Sequence, residues 1–366
     1  ASSLGYVNLL HIAVTLAGIP DAGTAPIQDA DVSRVADDAP QDPVGDARER
    51  LAAADESADA DADSFYPQLF HATVLIEEPE AHLHPQLQFG LIRYLRKLVK
   101  ERPDIQVIVT THSPELAAAC EPEELVVVRR RADGVSVARR VADVPLPGAL
   151  KTRLFQQTRL HLDATRSSAL FGDRVLVVEG VTEATLLRVL GHVWAGDDEL
   201  RTGFIDSLAI LPLGHKVGEW PIRLLAIPGH ELVTRVAALA DTDRRGDPLP
   251  EPSPPTWHGE LDSTTARFFW SRPTLEPSLV AGNEALVGEA LDEARATKPD
   301  PITAETIDAA FSAQPGMKGE FALTLARVMD ASHARVTVPA HITEMFDWLY
   351  AAPASSSDED AEPDEW

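Results

Sequence analysis

Two apolar runs that each end in acids constrain this chain more than any other feature. In Arg174-Val-Leu-Val-Val-Glu-Gly-Val-Thr-Glu183, β-forming residues close on Glu179, a glycine follows, and Glu183 comes four residues after the first acid. About sixty residues later Val236-Ala-Ala-Leu-Ala-Asp-Thr-Asp243 repeats the plan and ends in Asp241 and Asp243. Continuous apolar runs of this length suit strands buried on both faces, and a helical pattern over 183–190 follows the first, so parallel α/β layers are expected. Strands in one parallel sheet deliver their terminal residues to one edge, where open α/β sheets bind ligands. Four carboxylates gathered there repel one another, which implies Mg²⁺ or Mn²⁺. Two ions, one activating water and one supporting a leaving oxygen, would suit phosphodiester hydrolysis.

The alternation occurs twice, and 366 residues suffice for two domains with separate cores. Residues 3–18 read as a helix carrying Leu9, Leu10, Ile12, Ala13 and Leu16. Residues 19–64 are rich in Asp, Ala and Pro with few large apolar groups, the composition of a flexible acidic insertion. A strand over 71–76, an amphipathic helix over 85–100 and strands over 105–109 and 125–129 follow. Residues 141–168 read as a connector. The second alternation has strands at 175–179, 208–212, 236–240 and 268–270, a helix near Ile222 and helical residues over 301–330. Domain limits are expected at 1–165, 166–352 and an acidic tail 353–366.

The net charge of −26 looks wrong for a protein that handles DNA. Its distribution weakens the objection. There are 13 acids and 3 bases between Asp21 and Asp63, and 6 acids without a base from Ser355 onward. Arg129-Arg-Arg131, Arg139-Arg140 and the stretch from Lys151 to Arg159 form a basic run that either tracks a nucleic-acid backbone or solvates an acidic protein. No apolar run reaches membrane-span length, and Ala1–Pro20 lacks the basic start of a signal peptide. The single cysteine, Cys120, excludes an intramolecular disulfide, so a cytoplasmic location is expected.

The first alternation carries its own chemistry. Val74-Leu-Ile-Glu-Glu-Pro-Glu-Ala-His-Leu-His-Pro85 delivers two acids from a strand, and Val107-Ile-Val opens into Thr110-Thr-His-Ser-Pro114. This pair resembles the Walker B and switch-histidine segments of ATP-binding-cassette ATPases of the SMC branch. The resemblance implies that Glu77 stands at the metal position, where Asp is more usual. It makes Glu78 the group that polarises the attacking water and His112 the sensor of the γ-phosphate. His82 to Pro85 would fall in the D-loop; as metal ligands, His82 and His84 lack a third partner. Ser2-Ser-Leu-Gly-Tyr6, just before the first helix, resembles a degenerate signature motif whose Ser3 and Gly5 would meet a partner protomer's nucleotide. No G-x-x-x-x-G-K-[ST] occurs, so the phosphate-cradling loop is missing. The order matches the C-terminal lobe of such an ATPase. ATP is expected in the full-length protein, and no hydrolysis by this chain alone.

The second alternation, with E-G-x-x-E and D-x-D, resembles the Toprim domain of topoisomerases, primases and nucleases. Phe268-Phe-Trp-Ser-Arg-Pro-Thr-Leu-Glu-Pro places Glu276 after a further strand, and Gly316-Met-Lys-Gly-Glu-Phe-Ala322 places Lys318 at a helix start. With the ATPase half before it, the whole order resembles the overcoming-lysogenization-defect (OLD) family. It is nearest the class with a TLE segment and a K-G-E-F-A helix, which includes the nuclease subunit of Gabija-type phage defence. The fold this implies is α/β: the C-terminal lobe of an ABC/SMC-like ATPase joined to a Rossmann-like Toprim domain with a helical insertion. The implied activity is metal-dependent DNA nicking or cleavage. Glu179, Glu183, Asp241, Asp243 and Glu276 would hold metal, with Glu179 and Asp241 central to catalysis. Lys318 would stabilise charge on the scissile phosphate. DNA, a second copy of the chain and a helicase are the implied partners. The plain alternatives are a surface lysine for Lys318 and a salt-bridged acid for Glu276.

Two rivals remain open on sequence. A topoisomerase would need a nucleophilic tyrosine, and Tyr6, Tyr66, Tyr94 and Tyr350 have no suggestive setting; a primase would bring a zinc module that one cysteine cannot build. The rival from another class is a non-catalytic ATP-dependent sensor or scaffold whose acids are structural.

Overall fold

The computed structural model describes residues 2–19, 71–81, 83–130, 134–246 and 248–352. Apart from Ile19, the acidic insertion 19–64 lies outside these, as do His82, Arg131 and the tail 353–366. The chain divides into two compact units, Ala1–Ala119 and Cys120–Trp366.

The first unit contains α1 (Ser2–Ala17), β1 (Ala72–Glu77), α2 (Pro85–Glu101), β2 (Ile105–Thr110) and α3 (Pro114–Ala119). β1 and β2 pair in parallel, with Glu77 opposite Thr110. Alternate residues Val74, Ile76, Val107 and Val109 pack on Leu16 of α1 and on Leu91 and Leu95 of α2, which uses the period-2 pattern of a strand against the 3.6-residue pattern of a helix. The other face of this pair leaves Leu75 74% and its partner Ile108 45% exposed.

The second unit opens with a hairpin, β3 (Val126–Arg130) and β4 (Ser136–Arg140), paired antiparallel. The sequence reading has only a third strand here, within parallel layers. A loop this short between the strands permits only an antiparallel return. The stretch read as a connector is largely helical, with α4 (Gly148–His161) and α5 (Ala164–Ser167). Its buried stripe is only Leu154, Phe155 and Thr158, too sparse to stand out in a basic segment.

The main sheet follows: β5 (Arg174–Val178), α6 (Val181–Ala195), α7 (Glu199–Ser207), β6 (Ala209–Pro212), α8 (Glu219–Ala226), β7 (Arg235–Asp241) and β8 (Ala266–Ser271). The strand order is β6-β5-β7-β8, and every pairing is parallel. The fold is mixed α/β with parallel sheets. α9 (Leu275–Ser278), α10 (Glu284–Glu293), α11 (Ala304–Ala313), α12 (Lys318–Asp330) and α13 (Ala340–Tyr350) complete the unit. Leu176, Ala237, Leu239 and Phe269 of the sheet share a core with Leu186, Leu187 and Leu190 of α6 and with Phe321 and Phe346 of the later helices. Val175, Val177, Val236 and Ala238 are equally buried, so the central strands have no solvated face. Their polar residues are pushed to the strand ends. No helix among the described residues is long and apolar enough to cross a membrane.

Phe321 is fully buried, and its ring centroid lies 4.8 Å from that of Phe311. Phe321→Ala is expected to cost about 3–5 kcal/mol through lost burial and the cavity left behind. Denaturant unfolding of the chain and its variant measures this, and a cost below about 1 kcal/mol would contradict the packing described.

Candidate functional site

All four strands of the main sheet send a charged residue to the same edge. β5 is followed by Glu179, and Gly180 caps α6, whose first turn holds Glu183. A Cβ at position 180 would sit 2.9 Å from the Glu183 carboxylate, so a larger residue there would displace that side chain. β7 ends at Asp241. Two residues on, Asp243 has φ +50°, a left-handed conformation that Asp tolerates better than most residues. Its backbone N–H donates to the Pro273 carbonyl at 2.9 Å, and Thr242 N–H donates to Ser271 at 3.0 Å. The segment beyond β7 is thus bound to the segment beyond β8. Beyond β8, Glu276 lies in the first turn of α9. The loop after β6 brings Lys216.

These side chains act on one another. The Asp241 backbone N–H donates to Glu179 Oε1 at 3.2 Å. Burial pushes the Asp241 carboxyl up to about 8, helped by the negative charges of Glu179, Glu276 and Glu183 and opposed by Lys318. Burial also raises Glu179, with the charges of Asp243 and Glu183 adding to it. Glu276, only 8% exposed, accepts from Thr274 Oγ1 at 2.9 Å and from Lys318 Nζ at 3.1 Å. Lys318 begins α12, where the helix dipole disfavours a cation, so its position answers to Glu276 rather than to helix stability. Asp243 Oδ2 takes the Lys216 ammonium at 2.6 Å, and this hydrogen bond holds Lys216 above its ordinary value.

The structure therefore groups Glu179, Glu183, Asp241 and Glu276 electrostatically. It sets Lys318 on Glu276 and puts Asp243 at the rim on Lys216. Among the described residues, no three His, Cys, Asp or Glu side chains stand close enough to hold an ion as they are. The donor chemistry nonetheless fits a hard divalent cation: oxygen ligands only, excess negative charge, and an Asp241 carboxyl that burial and neighbouring charges push up to about 8. Lys216 is the residue the sequence reading missed. Its only signal was a lone lysine shortly after a strand, Pro212-Leu-Gly-His-Lys216.

The basic run is largely occupied within its own unit. The Arg129 guanidinium donates to the carbonyls of Leu170 and Leu232, Arg139 to that of Gly229, and Arg159 pairs with Glu121 and Glu123.

In the first unit, Glu77 closes β1 and Glu78 follows with φ +42°. The Glu78 N–H donates to Thr110 O at 2.9 Å, and its carboxylate lies 3.4 Å from His112 Nε2. The strand pairing thus brings together the two motifs that lie about thirty residues apart in sequence. Glu80, which the sequence reading passed over, accepts from the His112 backbone N–H at 2.7 Å and ties the two loops together. Ser113 Oγ donates to Gln88 of α2 at 2.5 Å. Ser3 and Gly5 lie in the first turns of α1, and their side chains are outside the described residues.

A family described as an AAA ATPase domain matches residues 68–117, the stretch containing β1, α2 and β2. An OLD nuclease of Thermus scotoductus is 37% identical over 149 residues, 40% of this chain and 26% of that protein. The chain is a relative of the OLD nucleases. The endonuclease GajA of Bacillus cereus is 32% identical over 144 residues, 39% of this chain and 23% of that protein. The match thus spans about a quarter of the length of these OLD relatives. The solved C-terminal region of the Burkholderia pseudomallei OLD protein superposes with a TM-score of 0.34 at 17% identity, covering 49% of this chain and 97% of that one. That superposition is too loose to carry chemistry across.

The Asp241 carboxyl, raised from 3.8 to about 8, binds its proton more tightly when folded than when unfolded. Its contribution to stability is therefore full below about pH 4 and is lost as pH rises through about 8. In EDTA, the melting temperature of the chain should fall between pH 6 and 8.5, and Asp241→Asn should flatten that fall. Parallel melting curves for the two proteins over this range would contradict the buried, repelled carboxyl.

Proposed function

We propose that the second unit is a metal-dependent DNA endonuclease or nickase site of the Toprim kind, and that the first unit contributes part of an ATP site that regulates it. The observation that carries this reading is the convergence of Glu179, Glu183, Asp241 and Glu276 at one edge of a parallel sheet, with Lys318 among them. Kinship with OLD nucleases, including one named an endonuclease, supports the reaction class.

In this reading Glu179, Glu183, Asp241, Asp243 and Glu276 would hold Mg²⁺ or Mn²⁺, two ions by the number of carboxylates. Bound there, such cations supply Lewis acidity and a water of lowered pKa. The protein's own groups do the rest. Asp241 gives up its proton as the site fills with positive charge. Glu179 holds the end of β7 through the Asp241 N–H and so sets the spacing of the two acidic strand ends. Lys318 is fixed by Glu276 at a helix start and directs its charge toward the phosphate as negative charge builds on the non-bridging oxygens. Water attacks phosphorus in line and a P–O bond breaks opposite to it.

Glu77 and Glu78 would serve Mg²⁺ and water at the nucleotide, His112 would sense the γ-phosphate, and Ser3 and Gly5 would reach a partner protomer's nucleotide. The site would be completed by residues outside this chain, and ATP binding would gate cleavage or dimerisation. Phage defence is the biological setting that kinship with these nucleases supports, and a cytoplasmic location and a helicase partner would complete it.

Supercoiled plasmid incubated with the chain in Mn²⁺ or Mg²⁺ should be nicked, and EDTA should stop it. Asp241→Ala should lower the rate by more than about 100-fold and Lys318→Ala by roughly 10²–10³-fold. Intact plasmid with the wild-type chain in Mn²⁺ would instead favour a scaffold whose acids are structural.

A further inference from the structure

Lys216 sits at the site in an unusual way: its backbone is fixed and its side chain is exposed. The loop that carries it is bound at its base to the strand bearing Glu179. Leu213 N–H donates to Val178 O at 3.0 Å and Gly214 N–H to Glu179 O at 2.7 Å. The Arg166 guanidinium grips the carbonyls of Pro212 and Leu213, each at 3.1 Å. Gly214, with φ +79°, turns the chain toward the acidic edge. The Lys216 side chain is 74% exposed, and its ionic partner among the described residues, Asp243, is 41% exposed.

An ion pair this exposed contributes little to stability, and Asp243 is already held by its backbone bond to Pro273. The pair therefore has little structural work to do. The other lysine of the site differs: Lys318 is half as exposed and bonds a buried carboxylate that Thr274 also holds. Lys216 is the more exposed cation of the two. It also occupies a carboxylate that the nuclease reading assigns to a divalent ion. An ammonium 2.6 Å from Asp243 Oδ2 and a divalent cation on the same carboxylate would repel each other.

Building on the nuclease reading, we propose that Lys216 is an exchangeable counter-ion. It rests on Asp243 while no divalent cation is bound, and swings to a phosphodiester oxygen of the nucleic acid when a cation takes Asp243. A flexible ammonium makes no demand on phosphate geometry, so the transfer needs only side-chain rotation. Cation loading is thereby coupled to substrate grip. The positive charge that neutralises Asp243 becomes available for DNA only once a cation takes that carboxylate.

Two opposite effects of one substitution test this. Mn²⁺ uptake, followed by the electron paramagnetic resonance of free Mn²⁺ without nucleic acid, should be about two- to fivefold tighter in Lys216→Gln than in wild type. Binding of a 20-base-pair duplex in Ca²⁺, followed by fluorescence anisotropy, should be weaker in the same variant, with its salt slope reduced by about 1. Lys216→Arg, which keeps the charge, should restore both. Unchanged or weaker Mn²⁺ uptake in Lys216→Gln, or unchanged duplex affinity, overturns the exchange while leaving the nuclease reading intact. No Mn²⁺ uptake by the wild type overturns both.

Discussion

Carboxylates cannot crowd one edge of a sheet at full charge unless something positive stands among them. In the second unit the strands are apolar along their length and buried on both faces, so their acids can sit only where the strands end, and parallel pairing puts those ends side by side. The resulting repulsion is met in two ways. Burial and the neighbouring charges push the Asp241 carboxyl up to about 8, and Lys318 bonds the buried Glu276 while Lys216 bonds Asp243 at the rim. The site is thus a region of excess negative charge with two lysines set against it.

The two units handle a strand-end acid with the same local geometry. Glu78 follows β1 with φ +42° and donates its N–H to Thr110 at the end of the neighbouring strand. Asp243 follows β7 with φ +50° and donates its N–H to Pro273, just past the neighbouring strand. Only one other described non-glycine residue, Arg295, has positive φ. Left-handed backbone at a non-glycine residue costs energy, and it persists where surrounding bonds hold it. Here a backbone hydrogen bond to the neighbouring strand, or to the segment just past it, does so.

Charge in the remainder of the molecule is spent locally. Arg129, Arg139 and Arg159 come from a basic run that could have served as a nucleic-acid track, yet they bind carbonyls and carboxylates of their own unit. Arg235 likewise holds the carbonyl of Ala351 past α13. Guanidinium groups with several donors in a fixed plane suit this work. The lysines at the site are simple point charges on flexible stems, Lys318 set on a buried carboxylate and Lys216 on an exposed one.

Much of the fold was legible in the residues. Runs such as Val175–Val178 and Val236–Ala240 can only be buried strands, and the strands and α2 lie within a residue or two of their expected limits. The acids at 179, 241 and 243 were legible for the same reason, since a polar residue closing an apolar run marks an edge, whereas 183 rested on the E-G-x-x-E spacing and 276 on the family resemblance. The β3–β4 return and α4 were not, because their apolar stripes are short and interrupted by arginines. Lys216 and Glu80 were not legible either: a single charged residue in a loop has no periodic signal, and its partner lies 27 or 32 residues away. The sequence by itself determined which residues are buried and which acids end strands, because burial follows from local pattern. Only the tertiary structure decided which charges meet, because strand order, the left-handed turns after Glu77 and Thr242, and the loop from β6 set distances that no local pattern encodes.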